Sequence, residues 1–229
     1  MIDHYDWAGG REAMLRFGPA DGPVIVAALP LFEEANRTRT FVVALLRALA
    51  ERGIAGALPD LPGQGESCLA TEKVSLMDIR DGFEAACARI ARPVYALGIR
   101  SGALLDTLAP AEGRWHFASQ SGPELLRELK RMAPAAASLD DCWWAAADVT
   151  EIAGNRISIA ILSALEGVTP FGPEDELPLR VVRHESDPKP ADLKVPGSPL
   201  WRRAEPDNDP ALAALLADDI AAWVRACEG

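Results

Sequence analysis

Short apolar runs alternate along the first half of the chain with segments whose apolar residues recur every three or four positions. The runs 24–29 and 94–97 have the length and composition of strands buried on both faces. Residues 54–58 predict a weaker strand. Between the strands, residues 41–49 and 76–90 each place their apolar side chains on one helical face. Strands that alternate with helices are joined by right-handed crossovers, so the pattern predicts an α/β fold with a mostly parallel sheet.

The second half of the chain is less regular. Residues 115–118 and 179–183 predict two further strands, and residues 124–132 predict a helix. Asp209 as an N-cap and Pro210 in the first turn predict the start of a closing helix.

Residues 120–170 are predicted to form a small cap-like helical region. Within it, the alanine-rich stretch 133–150 carries the adjacent Trp143 and Trp144. Neighbouring residues point to different sides of a helix, so one of the two tryptophans would be buried and the other could be exposed. Residues 188–210, rich in proline and aspartate, predict an irregular segment.

Length and composition fit one domain over residues 1–229, with 49% hydrophobic residues to fill its core. The formal charge of −11 argues against nucleic acid or an anionic membrane surface as partner. No stretch reaches the ~20 apolar residues that span a bilayer. The first residues lack the basic and apolar regions of a signal peptide, so we expect a cytoplasmic protein without membrane insertion.

Four cysteines, at positions 68, 87, 142 and 227, are scattered along the chain. They form no Cys-x-x-Cys pair and have no nearby histidine at metal-ligand spacing. The expectation is therefore reduced thiols, no metal site and no cofactor.

The stretch 98–102 reads Gly-Ile-Arg-Ser-Gly and follows a predicted buried strand. Small residues there would let the strand and a helix predicted over 103–108 approach closely. The pattern resembles the Gly-x-Ser-x-Gly elbow of α/β hydrolases, whose central residue projects into the active site. Here that residue is Arg100, and a guanidinium has no lone pair with which to attack an acyl carbon. The alternative is that the two glycines merely punctuate a loop.

Several blocks resemble the type 2 hydrolases associated with the exosortase A system. They are residues 29–39, which contain Pro-x-Phe-Glu-Glu-x-Asn-x-x-Arg, residues 58–67 and residues 98–103. Residues 121–122 with 125–131, 153–158 and 195–201 are also similar, so the resemblance spans most of the chain. The resemblance implies an α/β-hydrolase-like doubly wound sheet with a small helical cap, in a bacterial protein encoded beside exopolysaccharide and protein-sorting genes. It also implies that an arginine at the elbow is the family's habit, and it implies no known reaction.

The other parts of a catalytic triad are hard to place. Asp187 follows the strand 179–183, where a hydrolase acid could sit, but an aspartate before proline is also an ordinary turn opener. The base should lie within about 195–210, which contains no histidine. His184 is too close to Asp187 in sequence to fill that position and is predicted to end a strand.

Ser101 is the remaining candidate nucleophile. It lies one position past the apex, where its hydroxyl would cap or face the following helix. Without a positioned base that hydroxyl stays weakly nucleophilic. Ser67 has the same weakness, because its hydroxyl is expected to tie down a turn.

Arg100 needs a partner if it is buried, because an unpaired buried charge is costly. Glu33 and Glu34, which follow Phe32 in the loop after the first predicted strand, could supply a bidentate carboxylate. The ion pair could be purely structural and fill a pocket that has lost its function. Alternatively, Arg100 stays available for an anionic ligand, helped by the N-terminus of the helix beneath it.

Three functions remain open from the sequence. The first is a noncatalytic α/β-hydrolase-fold protein that binds a small anionic ligand or a protein partner, with a pocket of Arg100, Ser101, Phe32, Glu33 and Glu34. The second is an acyl or ester hydrolase that uses Ser101. The third is an interaction protein whose cap docks another subunit or a second copy of the chain.

Overall fold

The structure, a computed structural model, describes residues 1–133, 148–172 and 176–229. The described strands are β1 (Ile2–Trp7), β2 (Gly10–Phe17), β3 (Val24–Ala28), β4 (Ala55–Pro59), β5 (Val94–Ile99), β6 (Gly113–Phe117), β7 (Val149–Ile152), β8 (Asn155–Ser158), β9 (Leu179–His184) and β10 (Leu193–Val195). The α-helices are α1 (Glu33–Glu51), α2 (Leu76–Ala88), α3 (Gly122–Met132), α4 (Ile159–Leu165) and α5 (Pro210–Glu228). Short 3₁₀ turns lie at Thr71–Lys73, Arg100–Leu104 and Leu200–Arg202.

Eight strands form the central sheet in the order β1-β2-β4-β3-β5-β6-β9-β10. From β4 to β10 neighbouring strands are parallel, and β3 and β5 are buried along their whole length. The predicted mostly parallel sheet is confirmed. The antiparallel hairpin β1–β2 at one edge was not predicted, because its residues alternate between buried and exposed positions without a continuous apolar run.

Two hydrophobic cores lie on the two faces of the sheet. Helices α1 and α5 pack on one face with side chains such as Phe41, Leu45 and Leu216. Helices α2, α3 and α4 pack on the other face, where Phe83 and Leu125 are buried. Because both faces are covered, the central strands can be apolar throughout. None of the described helices is long and apolar enough to cross a membrane.

Side-chain caps stabilise two helix starts, and the one at α5 matches the sequence prediction. The Ser75 hydroxyl accepts a hydrogen bond from the amide of Asp78, and the Asp78 carboxylate accepts one from the amide of Ser75. At α5 the Asp209 carboxylate accepts from the Leu212 amide at 3.0 Å, with Pro210 in the first turn.

The predicted helix over 103–108 is absent. After β5 the chain makes only the 3₁₀ turn Arg100–Leu104 and then an irregular path to β6. The buried guanidinium of Arg114 explains that path, because it donates hydrogen bonds to the backbone carbonyls of Asp106 and Ala109 at 2.9 to 3.1 Å. These hydrogen bonds from β6 stabilise the irregular backbone of the segment. Pro110 also disfavours a helix there, because it has no backbone amide proton to donate.

Two further predictions need correction or stay open. The segment 188–210 contains the edge strand β10 and a 3₁₀ turn, so it is not irregular throughout. The predicted cap region includes α3 and α4, but it also contains the hairpin β7–β8. Trp143 and Trp144 lie outside the described residues. Of the cysteines that the structure describes, Cys68, Cys87 and Cys227 are free thiols.

Candidate functional site

The turn after β5 is as sharp as its glycines predict. Arg100 has a φ of 55°, in the left-handed region that side-chain-bearing residues seldom adopt. A Cβ on Gly98 would lie 2.6 Å from the Cα of Ala103, and one on Gly102 would lie 2.2 Å from the carbonyl oxygen of Ala28. Only glycine fits at these two positions. The strained turn therefore places Arg100 at the carboxyl end of a central strand.

The Arg100 guanidinium is paired with two carboxylates. Its Nε and Nη2 donate to the two oxygens of Glu34, each at 3.2 Å, and Nη2 also donates to Glu128 at 2.7 Å. The Arg100 side chain is only 10% exposed. Of the two glutamates considered from the sequence, Glu34 therefore contacts Arg100, whereas Glu33 pairs with Arg37.

Sharing one cation between two carboxylates shifts the pKa values in this cluster. Burial works against the charged form of Arg100, but the charges and hydrogen bonds of Glu34 and Glu128 outweigh it and raise the arginine's pKa. Burial raises the pKa of Glu34, and the nearby Glu128 carboxylate adds to that effect against the opposing influence of Arg100. The cluster therefore carries one more carboxylate than it has guanidinium groups.

Trp201 covers the guanidinium from the other side. The Cζ of Arg100 lies 4.8 Å from the centre of the Trp201 ring, within the range of a cation–π contact. The 3₁₀ turn Leu200–Arg202 that carries Trp201 follows the last strand, in the segment where a hydrolase base was sought. An aromatic ring thus contacts the apex residue from that segment.

Ser101 is fully buried, and its hydroxyl is engaged. The Leu31 amide donates to the Ser101 Oγ at 2.9 Å. The neighbouring amide, that of Phe32, donates to the Gln64 side chain at 3.2 Å. No histidine or carboxylate among the described residues is hydrogen-bonded to Ser101. The backbone amides of Leu31 and Phe32, which border the elbow, are thus both hydrogen-bonded within the protein.

Asp187 stabilises the turn after β9. Its carboxylate accepts from the Arg183 guanidinium at 2.9 Å and from the Lys189 amide at 3.0 Å. Burial alone would raise the pKa of Asp187, but these hydrogen bonds and the charge of Arg183 lower it. The geometry matches the turn-opening interpretation of this residue.

His184 ends β9, as the sequence predicts, and is 1% exposed. Its ring packs against Phe117 and Trp201, with centroid distances of 5.0 and 5.6 Å. Burial lowers the pKa of His184 in spite of the nearby charges of Asp187 and Asp209.

A cleft of about 290 Å³ opens beside this cluster. It is bounded by the end of β6, by α3, by the turn after β9 and by the 3₁₀ turn that carries Trp201. Its basic lining residues are Arg100, Arg127, Arg131, Arg183, Lys189 and Arg202, and its acidic ones are Glu124, Glu128 and Asp187. A chain with a net charge of −11 thus has one concave surface that is locally basic.

Sequence reasoning did not identify Glu128, Gln120 or Trp201 as part of this site. Glu128 lies on α3, which the sequence placed in the cap region, and only the fold brings it to the elbow. The one sequence signal that could have indicated Glu128 was the need of a buried Arg100 for negative charge. Glu33 and Glu34 already met that need in the sequence prediction.

A histidine–carboxylate pair lies apart from the cleft. His116 on β6 is 2.8 Å from the Asp106 carboxylate through its Nε2, and both residues are buried. Neither residue lines the cleft. Within the described part of the chain, no group of three or more potential metal ligands is present.

Solved structures with the same architecture include hydrolases. A putative hydrolase from Agrobacterium vitis S4 covers 98% of both chains with a TM-score of 0.62 and 13% identity. Est1E from Butyrivibrio proteoclasticus, solved with ferulic acid, also covers 98% of both chains, with a TM-score of 0.65 and 15% identity. Mouse α/β-hydrolase domain-containing protein 10 covers 99% of both chains with a TM-score of 0.62 and 12% identity.

No protein-family model matches the sequence, and no curated protein is significantly similar to it. Identities of 12 to 15% show the fold and leave the activity open. The chain therefore has the α/β-hydrolase fold, with an arginine at the apex of its elbow.

Proposed function

We propose that this chain is a noncatalytic α/β-hydrolase-fold protein that binds a small anionic ligand in the cleft beside Arg100. The observation that supports the loss of catalysis is the state of the apex residue. Arg100 stands where the fold places a nucleophile, two carboxylates hold it, and Trp201 covers it. Activating a serine requires a base within hydrogen-bond reach, and Ser101 has no such partner among the described residues.

The basic lining of the cleft supports an anionic ligand. Arg100 itself is neutralised by Glu34 and Glu128, so its role is to hold the floor of the cleft together. The expected help from a helix N-terminus is lost, because the apex is followed by a 3₁₀ turn rather than an α-helix. Other basic side chains of the cleft lining must then bind the anionic group of the ligand.

The cellular setting of this proposal comes from the sequence. The resemblance at residues 29–39, 58–67 and 98–103 supports a bacterial, cytoplasmic protein that serves exopolysaccharide production or protein sorting. A protein partner or a homo-oligomer fits the same setting. Gel filtration with and without the neighbouring gene products would detect either one as an increase in apparent molecular mass.

The test of the proposed function combines two measurements on the purified protein. Turnover of short- and medium-chain p-nitrophenyl esters should stay at background, while an active serine hydrolase serves as the positive control. In a thermal-shift screen, at least one small anion should raise the melting temperature, since a ligand that binds only the folded state stabilises that state. Ester hydrolysis that Ser101→Ala abolishes would instead support the alternative, an acyl or ester hydrolase with Ser101 as nucleophile.

A further inference from the structure

Gln120 is the one cleft residue whose side-chain amide lacks any hydrogen bond at either end within the described part of the chain. It follows β6, is 2% exposed, and lines the cleft. Its Nε2 and its Oε1 both lack a hydrogen-bond partner among residues 1–133, 148–172 and 176–229. Most buried polar groups in proteins are hydrogen-bonded, so an amide left without partners at the wall of a cleft is unusual. A side-chain amide offers a donor and an acceptor side by side, which is the complement of a hydroxyl group.

Arg131 and Arg202 contribute positive charge to the cleft. Arg131 lies on α3 and Arg202 on the 3₁₀ turn after β10, and both line the 290 Å³ cleft and an adjoining one of about 420 Å³. Neither forms an ion pair with any described residue. Arg127, one turn before Arg131 on α3, lies 3.9 Å from the Glu124 carboxylate and donates a hydrogen bond to the Pro123 carbonyl. Like charges at this spacing repel each other, so the sequence retains a basic helix edge at some cost.

The remaining charges of the cleft are paired internally. Arg183 is held by Asp187, Lys189 contacts Glu124, and Arg100 is held by Glu34 and Glu128. Six basic and, with Glu34 included, four acidic side chains leave an excess of two positive charges. An exposed guanidinium binds phosphate and carboxylate oxygens in a bidentate manner.

From these two features we infer that the cleft takes a small hydroxyl-bearing dianion, of which a phosphate monoester of a polyol is the simplest example. Arg131 and Arg202 bind the doubly charged group, and Gln120 binds a hydroxyl. A phosphate monoester carries close to two negative charges at neutral pH, which matches the excess in the cleft. The volume of about 290 Å³ is at the lower end of small-molecule sites. This inference rests on the proposed function and names the ligand class and the contacting residues.

The first experiment compares ligands by isothermal titration calorimetry on the whole chain. Glucose 6-phosphate combines the dianion with hydroxyls, inorganic phosphate lacks the hydroxyls, glucose lacks the charge, and acetate carries one charge. The expected order of affinity places glucose 6-phosphate first, inorganic phosphate second, and acetate and glucose last. If none of the four binds but another anion of the thermal-shift screen does, the proposed function stands and this ligand class is wrong. If no anion binds, both are wrong.

The second experiment assigns the residues. Arg131→Gln and Arg202→Gln should each weaken glucose 6-phosphate and inorganic phosphate by about tenfold, because each removes a charged hydrogen-bonding group. Arg11→Gln, a change at an exposed arginine of the N-terminal hairpin, is the matched control and should leave both affinities unchanged. Unchanged affinities in both cleft variants would overturn the assignment.

The Gln120 contact has its own readout. Gln120→Met keeps the size of the side chain and removes the amide, so the free protein should melt at the same temperature or higher, because an unpartnered buried polar group is removed. The affinity for glucose 6-phosphate should fall about fivefold while that for inorganic phosphate stays the same. A purely structural Gln120 would give the opposite result, namely a lower melting temperature and equal effects on both ligands.

Discussion

Arg100 shows how much of a site can follow from one residue. The sharp turn at Arg100 and its need for a carboxylate both follow from the sequence, through the glycines that flank it and the Glu33–Glu34 pair. The contacts of Arg100 with Glu128 and Trp201 could not be predicted, because they come from segments 28 and 101 residues further along the chain. Nothing local to those segments indicates that they meet at the elbow.

Replacing Arg100 by serine should not create an esterase. The variant would have a hydroxyl at the apex but no base after the last strand, and triad members act as a unit. It should also lose about 3 kcal/mol of unfolding free energy, because Glu34 and Glu128 would be left without their cation. Urea denaturation and ester turnover measure the two effects.

The control for this variant is Arg11→Gln, since the Arg11–Asp6 pair is exposed and 3.8 Å long. Its loss should cost less than about 0.5 kcal/mol. An Arg100→Ser protein as stable as that control would show that the buried ion pairs contribute nothing to the fold.

His184 makes stability depend on pH. Its pKa in the folded protein is lower than the ordinary value because the ring is buried. The unfolded chain therefore binds a proton at His184 more readily than the folded protein does. The stability that neutral His184 contributes is lost as the pH falls below about 6.5. We expect the free energy of unfolding to drop between pH 7.5 and 5.5, and to drop less in His184→Gln. Urea titrations at both pH values measure this, with the exposed His4→Gln as control; an equal drop in all three proteins would contradict the assignment.

At the scale of elements, the buried strands and capped helices were predictable and the connection after β5 was not. Apolar runs and caps are local signals, which is why β3, β5 and the start of α5 match the sequence predictions. The segment after the elbow has a helical composition, but a side chain on the next strand, Arg114, holds its carbonyls outside a helix. A tertiary contact therefore overrides the local preference.

The tightness of the elbow predicts a strong effect at Gly102. In Gly102→Ala the added methyl would lie 2.2 Å from the Ala28 carbonyl oxygen, which belongs to the neighbouring strand and has little room to move. We expect a loss of about 3 kcal/mol or more in unfolding free energy. Gly167→Ala is the matched control, because no atom of the described residues lies within 4 Å of its added methyl, and it should stay within about 0.5 kcal/mol of the parent. Equal stabilities by thermal and urea unfolding would mean that the elbow can open.

The net charge of the chain and the net charge of its cleft have opposite signs. The overall composition argues against polyanionic partners, and it gives no sign that the cleft is locally basic. That property arises from folding, because α3, the turn after β9 and the 3₁₀ turn after β10 each contribute cations that are distant in sequence. An acidic exterior repels large anions while the basic cleft attracts small ones.

The contacts around Arg100 also limit how this sequence can drift. A change at Arg100 leaves Glu34 and Glu128 facing each other, and a change at Glu34 leaves a mostly buried guanidinium with one partner fewer. A smaller residue at position 201 uncovers the guanidinium face. We expect each single exchange at these positions to give a less stable protein. Selection for stability therefore favours keeping the arginine over restoring a serine in its place.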